Sequence, residues 1–149
     1  MEELRVTSSS FNHQGLIPSK YTCDGENVNP PLKIENIPQE GKSIVLIVDD
    51  PDAPMGTWVH WVVWNIPVKK IVQIEEDSIP GVQGLNDFMR HDYGGPCPPS
   101  GSHRYFFKVY VLDIELNMDK NSRKKDIEKA MEGHILAKGT LIGIYSRKR

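Results

Sequence analysis

The sequence lacks any apolar stretch that approaches the roughly 20 residues a membrane-spanning helix needs. Residues 1–10 are acidic and polar, so the N-terminus lacks the apolar segment of a secretory signal peptide. From these two absences we expect a soluble, cytoplasmic protein with no transmembrane segment.

An excess of one charge is lacking as well. The chain has 18 Lys and Arg against 20 Asp and Glu, a formal net charge of -2. Proteins that grip a nucleic-acid backbone carry a broad basic surface, so we expect no nucleic-acid partner. The 149 residues, of which 38% are hydrophobic, suffice for a real core. We therefore expect a single domain over residues 1–149.

Cysteine is scarce, with only Cys23 and Cys97. Two cysteines do not make a disulfide framework, and their spacing does not reveal whether they pair. Our interpretation is two buried, reduced thiols. An alternative is that Cys97 and His103 form the nucleophile pair of a hydrolase or thiol enzyme, although nothing in the sequence indicates an activated thiol.

Familiar catalytic and metal-binding motifs are also missing. The chain contains no GxSxG, HExxH or CxxC pattern, which are the signatures of serine hydrolases, zinc proteases and zinc or redox sites. We therefore expect a protein that is not an enzyme and that uses neither a metal nor a cofactor.

Three proline clusters mark loops, because proline is disfavoured inside central strands. The runs between them are apolar and rich in β-branched and aromatic residues, which favours buried strands. Strong strands are predicted at 43–48, 58–66 and 105–112, and weaker ones at 4–11, 32–37 and 140–145. One helix is predicted at 120–132, and residues 134–137 are predicted to add a turn. The pattern indicates a mainly antiparallel β domain.

Candidate site residues lie just after one predicted strand and at the start of another. Asp50 and Asp52 flank Pro51 after the first strong strand, and residues 94–105 combine glycines and prolines with His103, Arg104 and Tyr105. Alternation along a strand puts His103 and Tyr105 on one face and Arg104 on the other. We therefore expect Arg104 in a structural ion pair rather than at a ligand.

His60 lies inside an apolar strand. Alternation gives it the same face as Trp58, Val62 and Trp64. A histidine at such a position is usually a core residue. It becomes a site candidate where that face opens to solvent.

In these motifs the chain resembles the phosphatidylethanolamine-binding protein family, and within it the prokaryotic Raf kinase inhibitor-like branch. The segments that carry the resemblance are DPDAP at 50–54, WVH at 58–60, the block from 95 to 105, TCDG at 22–25, NPPL at 29–32 and GTLIGIYSR at 139–147. The resemblance implies a mainly β fold, with a large central antiparallel sheet, a smaller sheet and one or two short helices near the C-terminus.

The resemblance also implies a small anion pocket. By position, its residues would be Asp50, Pro54, His60, His103 and Tyr105. Asp24 is added from the TCDG pattern, and Cys97 stands where eukaryotic members carry a proline. The chain lacks the long C-terminal helix that borders the pocket of the eukaryotic members. We therefore expect a more open pocket, and the resemblance does not lead us to expect regulation of a kinase.

The expected function is non-enzymatic binding of a small anionic ligand, such as phosphate or a phosphoethanolamine-like head group. Protonated His60 or His103 and the Tyr105 hydroxyl would donate to phosphate oxygens, while Asp50 accepts from a histidine N–H. Binding should then tighten below about pH 6.5, the ordinary histidine pKa. The alternatives are a regulator that binds a phosphorylated protein partner, and the thiol enzyme using Cys97 and His103. Peripheral membrane contact is compatible with binding of a phosphoethanolamine-like head group.

Overall fold

Ten β-strands, one α-helix and one 3₁₀ turn at Ser19–Tyr21 make up the regular structure of residues 2–147, the part of the chain that the computed structural model describes. The strands are β1 Glu2–Glu3, β2 Arg5–Thr7, β3 Gly15–Leu16, β4 Leu32–Glu35, β5 Ser43–Asp50, β6 Trp58–Ile66, β7 Val72–Ile74, β8 Val82–Gln83, β9 His103–Leu112 and β10 Ile135–Tyr145, and helix α1 is Lys124–Met131.

The strands form a large sheet and a small one. The large sheet has the order β1-β10-β9-β5-β6-β8, with β3 also paired to β10. Its pairings are antiparallel except those of β1 and β3, which run parallel to β10. The small sheet is antiparallel, with the order β2-β4-β7. The predicted mainly β fold, with a large and a smaller sheet and a helix near the C-terminus, is confirmed.

Both faces of the large sheet are buried at its centre. On one face, which we call the small-sheet face, Ile44, Leu46 and Val48 of β5 pack in the same cluster as Ile34 of β4. On the other, the helix face, Val45 and Ile47 pack in a cluster with residues of α1. Burial on both sides explains why β5 reads as an uninterrupted apolar run rather than an alternating one.

Several element bounds differ from the predictions. Strand β5 continues to Asp50 and β9 begins at His103, so both residues belong to strands rather than loops. The predicted turn at 134–137 is wrong, because β10 already begins at Ile135. Helix α1 is shorter than predicted. It starts where the Asp126 carboxylate accepts a hydrogen bond from the backbone N–H of Arg123, and Gly133, with φ of +78°, follows its end.

Candidate functional site

A cavity of about 210 Å³ opens at the end of the central strands. Its polar lining comes from Asp50, His60, His103 and Tyr105, and the rest of the wall is mainly apolar. The other lining residues are Ala53, Pro54, Trp58, Phe88, Cys97, Pro98 and Pro99. All the residues predicted for the site line this cavity, except Asp24.

Asp50 and His103 form the charged pair of the pocket. The last residues of β5 lie beside the first residues of β9, in the register Asp49 opposite Phe106. The His103 Nδ1 lies 2.6 Å from the Asp50 Oδ2, and the side chains are only 8% and 4% exposed. A carboxylate oxygen accepts, so Nδ1 of His103 donates and its Nε2 is left for the pocket.

A β-bulge places His60 in the pocket. The pairing of β5 with β6 shifts from Val48 opposite Trp61 to Asp49 opposite Val59, which leaves His60 as the extra residue. A bulge re-aims the side chains beside it. The prediction that His60 shares a face with Val62 and Trp64 is therefore wrong. Those two pack on the helix face, whereas the His60 ring contacts that of Tyr105 with a centroid distance of 5.2 Å.

The protonation of His60 is set by its surroundings. Its Nδ1 lies 2.7 Å from the Gly94 carbonyl oxygen, and because a carbonyl only accepts, Nδ1 carries the hydrogen. Burial lowers the pKa of His60, and the hydrogen bond to Gly94 opposes that effect without reversing it. His60 is therefore neutral near pH 7, with a lone pair on Nε2. This favours His103 over His60 as the charged donor.

Tyr105 lies between the two histidines. Its ring centroid is 5.2 Å from that of His60 and 6.4 Å from that of His103. The side chain is buried, and its hydroxyl has no hydrogen-bond partner among the described residues. Burial raises the pKa of Tyr105, so the hydroxyl keeps its proton. A buried hydroxyl without a partner is costly, and the residue that carries it lines the cavity.

Cys97 lines the pocket as half of a disulfide with Cys23. The interpretation of both residues as reduced thiols is therefore wrong. The Cys97–His103 nucleophile pair is also excluded in this form of the protein, because a disulfide sulfur is not the thiolate that attacks. The residues are 74 apart in sequence, and nothing in that spacing signals the pairing.

The segment before Cys97 is fixed from two sides. Towards the pocket, Gly94 donates its N–H to the His60 carbonyl at 3.1 Å and accepts from the His60 ring. Away from the pocket, the Tyr93 hydroxyl donates to the Tyr21 carbonyl at 2.7 Å, and the Gly95 N–H donates to Asn27 Oδ1 at 2.8 Å. A Cβ on Gly95 would come within 2.3 Å of the Tyr21 carbonyl oxygen, so this close approach requires glycine.

Phe88 is a wall residue that the sequence reasoning missed. Its ring packs edge-on to His60 and Trp58, with centroid distances of 5.3 and 5.5 Å. Buried Asn86 holds the loop, since its Nδ2 donates to the carbonyl of Asp92 at 2.7 Å and its Oδ1 accepts from the N–H of Phe88 at 3.0 Å. The segment 82–90 has no periodicity that would have identified it as a pocket wall.

Two further candidates lie outside the pocket. Asp24 accepts from the Tyr145 hydroxyl and pairs with Arg147 at 3.2 Å. Arg104 donates from Nε and Nη2 to the two carboxylate oxygens of Asp52 at 2.9 and 2.8 Å, and these bonds lower the pKa of Asp52 to about 2. The prediction of a structural ion pair for Arg104 is confirmed.

Within residues 2–147 no three His, Cys, Asp or Glu residues are grouped so as to hold a metal ion. None of the helices described there has the length and apolar character to span a bilayer.

Known proteins resemble the chain over almost its whole length. A family model described as phosphatidylethanolamine-binding protein matches residues 7–146. A UPF0098 protein of Pyrococcus abyssi is 51% identical, over 99% of this chain and 88% of that protein. A UPF0098 protein of Methanothermobacter thermautotrophicus is 47% identical, over 97% of this chain and 99% of its own.

Two crystal structures share the fold. One is a phosphatidylethanolamine-binding protein homolog from Chlamydia trachomatis, with a TM-score of 0.93 and 39% identity, covering 99% of this chain and all of that one. The other is Escherichia coli YbcL, described as a new member of the mammalian PEBP family, with a TM-score of 0.89 and 30% identity over 98% of this chain and 99% of its own.

Proposed function

Because this chain belongs to the phosphatidylethanolamine-binding protein family, a family of ligand-binding proteins, we propose that its pocket binds a small phosphate-containing ligand. The ligand class includes phospholipid head groups and free phosphorylated molecules. Binding is not followed by chemical conversion.

The proposal rests on two hydrogen-bond donors among the residues that line the pocket, the Tyr105 hydroxyl and the His103 ring. The Tyr105 hydroxyl is buried and has no partner among the described residues, and His103 directs Nδ1 to Asp50. In its imidazolium form, His103 donates from Nε2 as well. Both donors suit the oxygens of a phosphoryl group, since these only accept when ionised. Asp50 lies behind His103 and compensates its charge.

The charge of the lining residues restricts the net charge of the ligand that the pocket can bind. Among the described residues that line the pocket there is no Lys or Arg. Imidazolium and carboxylate together sum to zero, so the pocket offers little to balance a dianion. This favours a monoanion, or a zwitterion such as phosphoethanolamine, over a doubly charged phosphate.

The test is titration calorimetry with phosphoethanolamine at about pH 6 and about pH 8, on either side of the ordinary histidine pKa. We expect tighter binding at the lower pH, because a protonated histidine donates from both ring nitrogens, whereas a neutral one whose Nδ1 already donates elsewhere presents only a lone pair. His134, which also pairs with an aspartate at 2.8 Å but is exposed, gives a matched control variant, His134→Asn. Equal weak heats at both pH values would contradict the proposal.

A phosphorylated protein partner is the second candidate, favoured by the exposed apolar residues at the pocket. Met55, next to Pro54, is 98% exposed and Trp58 is 37% exposed, and apolar and aromatic residues of this kind are enriched at interfaces. If a partner is the ligand, a phosphoserine peptide should bind much more tightly than phosphoserine itself. Equal affinities would favour the small-molecule ligand.

The cytoplasmic location stays a proposal. The Cys23–Cys97 disulfide argues against a cytoplasmic location, because most cytosols keep thiols reduced. Labelling of free thiols in the protein rapidly taken from cells tests it: an unreactive protein indicates an oxidising compartment.

A further inference from the structure

A second cleft lies at the opposite end of β5 from the pocket, and we call it the lysine cleft. Its volume is about 740 Å³, against about 210 Å³ for the pocket. Its lining combines aliphatic side chains with cations, namely Ile37, Pro38, Val68, Lys42, Lys69 and Lys70. We propose that this cleft is a second binding site, which takes an aliphatic carboxylate: an anionic head group on an apolar chain.

The length of β5 separates the two sites. Lys42 immediately precedes the strand, whereas Asp50 is its last residue, and the strand has 8 residues. An extended strand of that length spans roughly 23 Å. The lysine cleft is therefore independent of the phosphate site proposed above, and either proposal can fail without the other.

The turn before β5 forms one wall of the lysine cleft, and it is fixed by the backbone. The Gly41 N–H donates to the Pro38 carbonyl at 3.0 Å, and the Lys42 N–H donates to the Leu112 carbonyl at 2.8 Å. A Cβ on Gly41 would come within 2.7 Å of a methyl group of buried Val111. The turn thus lies close against the end of β9, so this wall is formed before any ligand binds.

The connection between β6 and β7, residues 67–71, forms the other wall. Val68 of this connection and Ile37 of the first wall are both half-buried and pack against the core on the small-sheet face. Because both residues also line the cleft, part of their aliphatic surface remains open to it. No described lining residue is aromatic, which suits an aliphatic chain in a cleft of drug-sized volume.

The three lysines of the cleft have no carboxylate partner within the described residues. The lysines that pair with a carboxylate there are Lys20, Lys33, Lys108 and Lys124. The described lining contains no Asp or Glu, and Glu40 of the same turn is not part of it. A cleft beside the start of α1 also has three cations, but two carboxylates in its lining balance them. The lysine cleft is thus left with like charges that repel each other.

The combination of charges and aliphatic surface determines the ligand class. A lysine carries its charge on a flexible apolar stem, which can lie along a hydrocarbon chain while the ammonium meets an anion. One exposed ion pair contributes little in water, so a bare carboxylate should bind weakly. A neutral chain covers the aliphatic surface but leaves the lysine charges unbalanced. The fit therefore requires both parts in one molecule.

The experiment is a titration of the ¹⁵N-labelled wild-type protein, followed by NMR near neutral pH. The probes are octanoate, acetate, which has the head group without the chain, and octanamide, which has the chain without the charge. We expect octanoate to shift the amide signals of Lys42, Val68 and Lys70. It should bind at least about tenfold more tightly than either of the other probes.

Each other result overturns the proposal. Equal binding of octanamide would show that the lysines play no part, and equal binding of acetate would show the same of the aliphatic surface. Octanoate shifts confined to residues 94–105 would place the ligand in the pocket instead. No binding of octanoate would leave the cleft without this function, and none of these results bears on phosphate binding.

A set of variants assigns the charge to these lysines. Lys42→Gln, Lys69→Gln and Lys70→Gln together should weaken octanoate binding by about tenfold and leave octanamide binding unchanged. Substitutions at exposed positions of this kind cost little stability.

The control makes the same change of net charge at exposed lysines elsewhere, Lys120→Gln, Lys129→Gln and Lys138→Gln. It should bind octanoate as the wild type does. Equal losses in the two triple variants would mean a general attraction to the charge of the protein, and the lysine cleft would not be a site.

Discussion

Asp49 and Asp50 are neighbours at the end of β5 and are buried to the same degree, at 1% and 3% exposure, yet they serve opposite faces of the large sheet. Asp49 lies on the helix face, where its Oδ2 accepts from Lys108 at 2.9 Å and from Lys124 at 2.7 Å. Asp50 lies in the pocket and accepts from His103 at 2.6 Å. The distances are alike, so the difference lies in the partners.

Lysine is charged throughout the physiological pH range, whereas histidine changes charge within it. Asp49 joins α1 to the sheet through its ion pairs with Lys108 of β9 and Lys124 of α1. The partner of Asp50 is His103, which lines the cavity. The two carboxylates thus differ in where their partners lie: the lysines of Asp49 tie helix to sheet, whereas the histidine of Asp50 lines a cavity.

The largest expected effect comes from removing both lysines. Lys108→Met together with Lys124→Met leaves Asp49 buried and uncompensated, and its Oδ1 already has no partner among the described residues. Breaking a buried ion pair in this way costs about 4 kcal/mol. Urea unfolding should show that loss, with phosphoethanolamine affinity retained by the folded protein. Lys125→Met, an exposed neighbour on α1, is the control, and an equal loss there would remove the special role of the cluster.

Loss of the disulfide should act mainly on the pocket side. Cys23→Ser with Cys97→Ser releases a cross-link between residues 74 apart, which costs roughly 3 kcal/mol in the free energy of unfolding. The hydrogen bonds of Tyr93 and Gly95 still hold the segment before Cys97. The wall at Pro98 and Pro99 is the part that loosens, so ligand affinity should fall too.

Reducing agent gives the control for that experiment. Treated wild-type protein should match the double variant, and the double variant should not respond. If ligand affinity is the same with and without the disulfide, Cys97 only stabilises the fold and the pocket does not depend on it.

His103→Asn tests the pocket side directly. The asparagine is close in size to part of the ring but cannot carry charge, so the ligand loses a charged donor. Such a bond is worth about 2 kcal/mol, a fall in phosphoethanolamine affinity of more than about tenfold by calorimetry. The surface variant His134→Asn removes the same kind of His–Asp pair far from the cavity and should bind normally. Equal losses in both variants would make the pocket pair no different from the surface one.

The sequence predicted what depends on local pattern. The bounds of β6 at Trp58–Ile66 were predicted correctly, because apolar β-branched runs between prolines define central strands. The contact of Asp50 with a histidine N–H is also confirmed, with His103 as the donor. The motif at 94–105 brought His103 and Tyr105 to one face because they are two residues apart on a strand.

What the sequence did not predict depends on pairing between distant segments. The bulge at His60 is a property of the register between β5 and β6, and inside an unbroken apolar run no residue marks the extra position. The Cys23–Cys97 bond and the role of Phe88 likewise arise only when loops from separate parts of the chain meet. The first residues of β10 were not predicted as strand, because they alternate weakly and include Gly139. Glycine is required there, since an added Cβ would lie 2.5 Å from the Leu4 carbonyl oxygen.

The smallest expected effect is a change in the pH dependence of stability. Burial lowers the pKa of His60 in the folded protein, so below the ordinary histidine pKa of about 6.5 the unfolded chain takes up a proton first. His60 therefore supports folding fully above that pH, and its contribution is lost as the pH falls, with a slope of at most about 1.4 kcal/mol per pH unit. In His60→Phe, urea midpoints between about pH 7 and about pH 5 should fall less steeply than in the wild type. Parallel slopes for both proteins would show that burial does not lower the pKa of His60, and the contrast between the two faces would then rest on His103 alone.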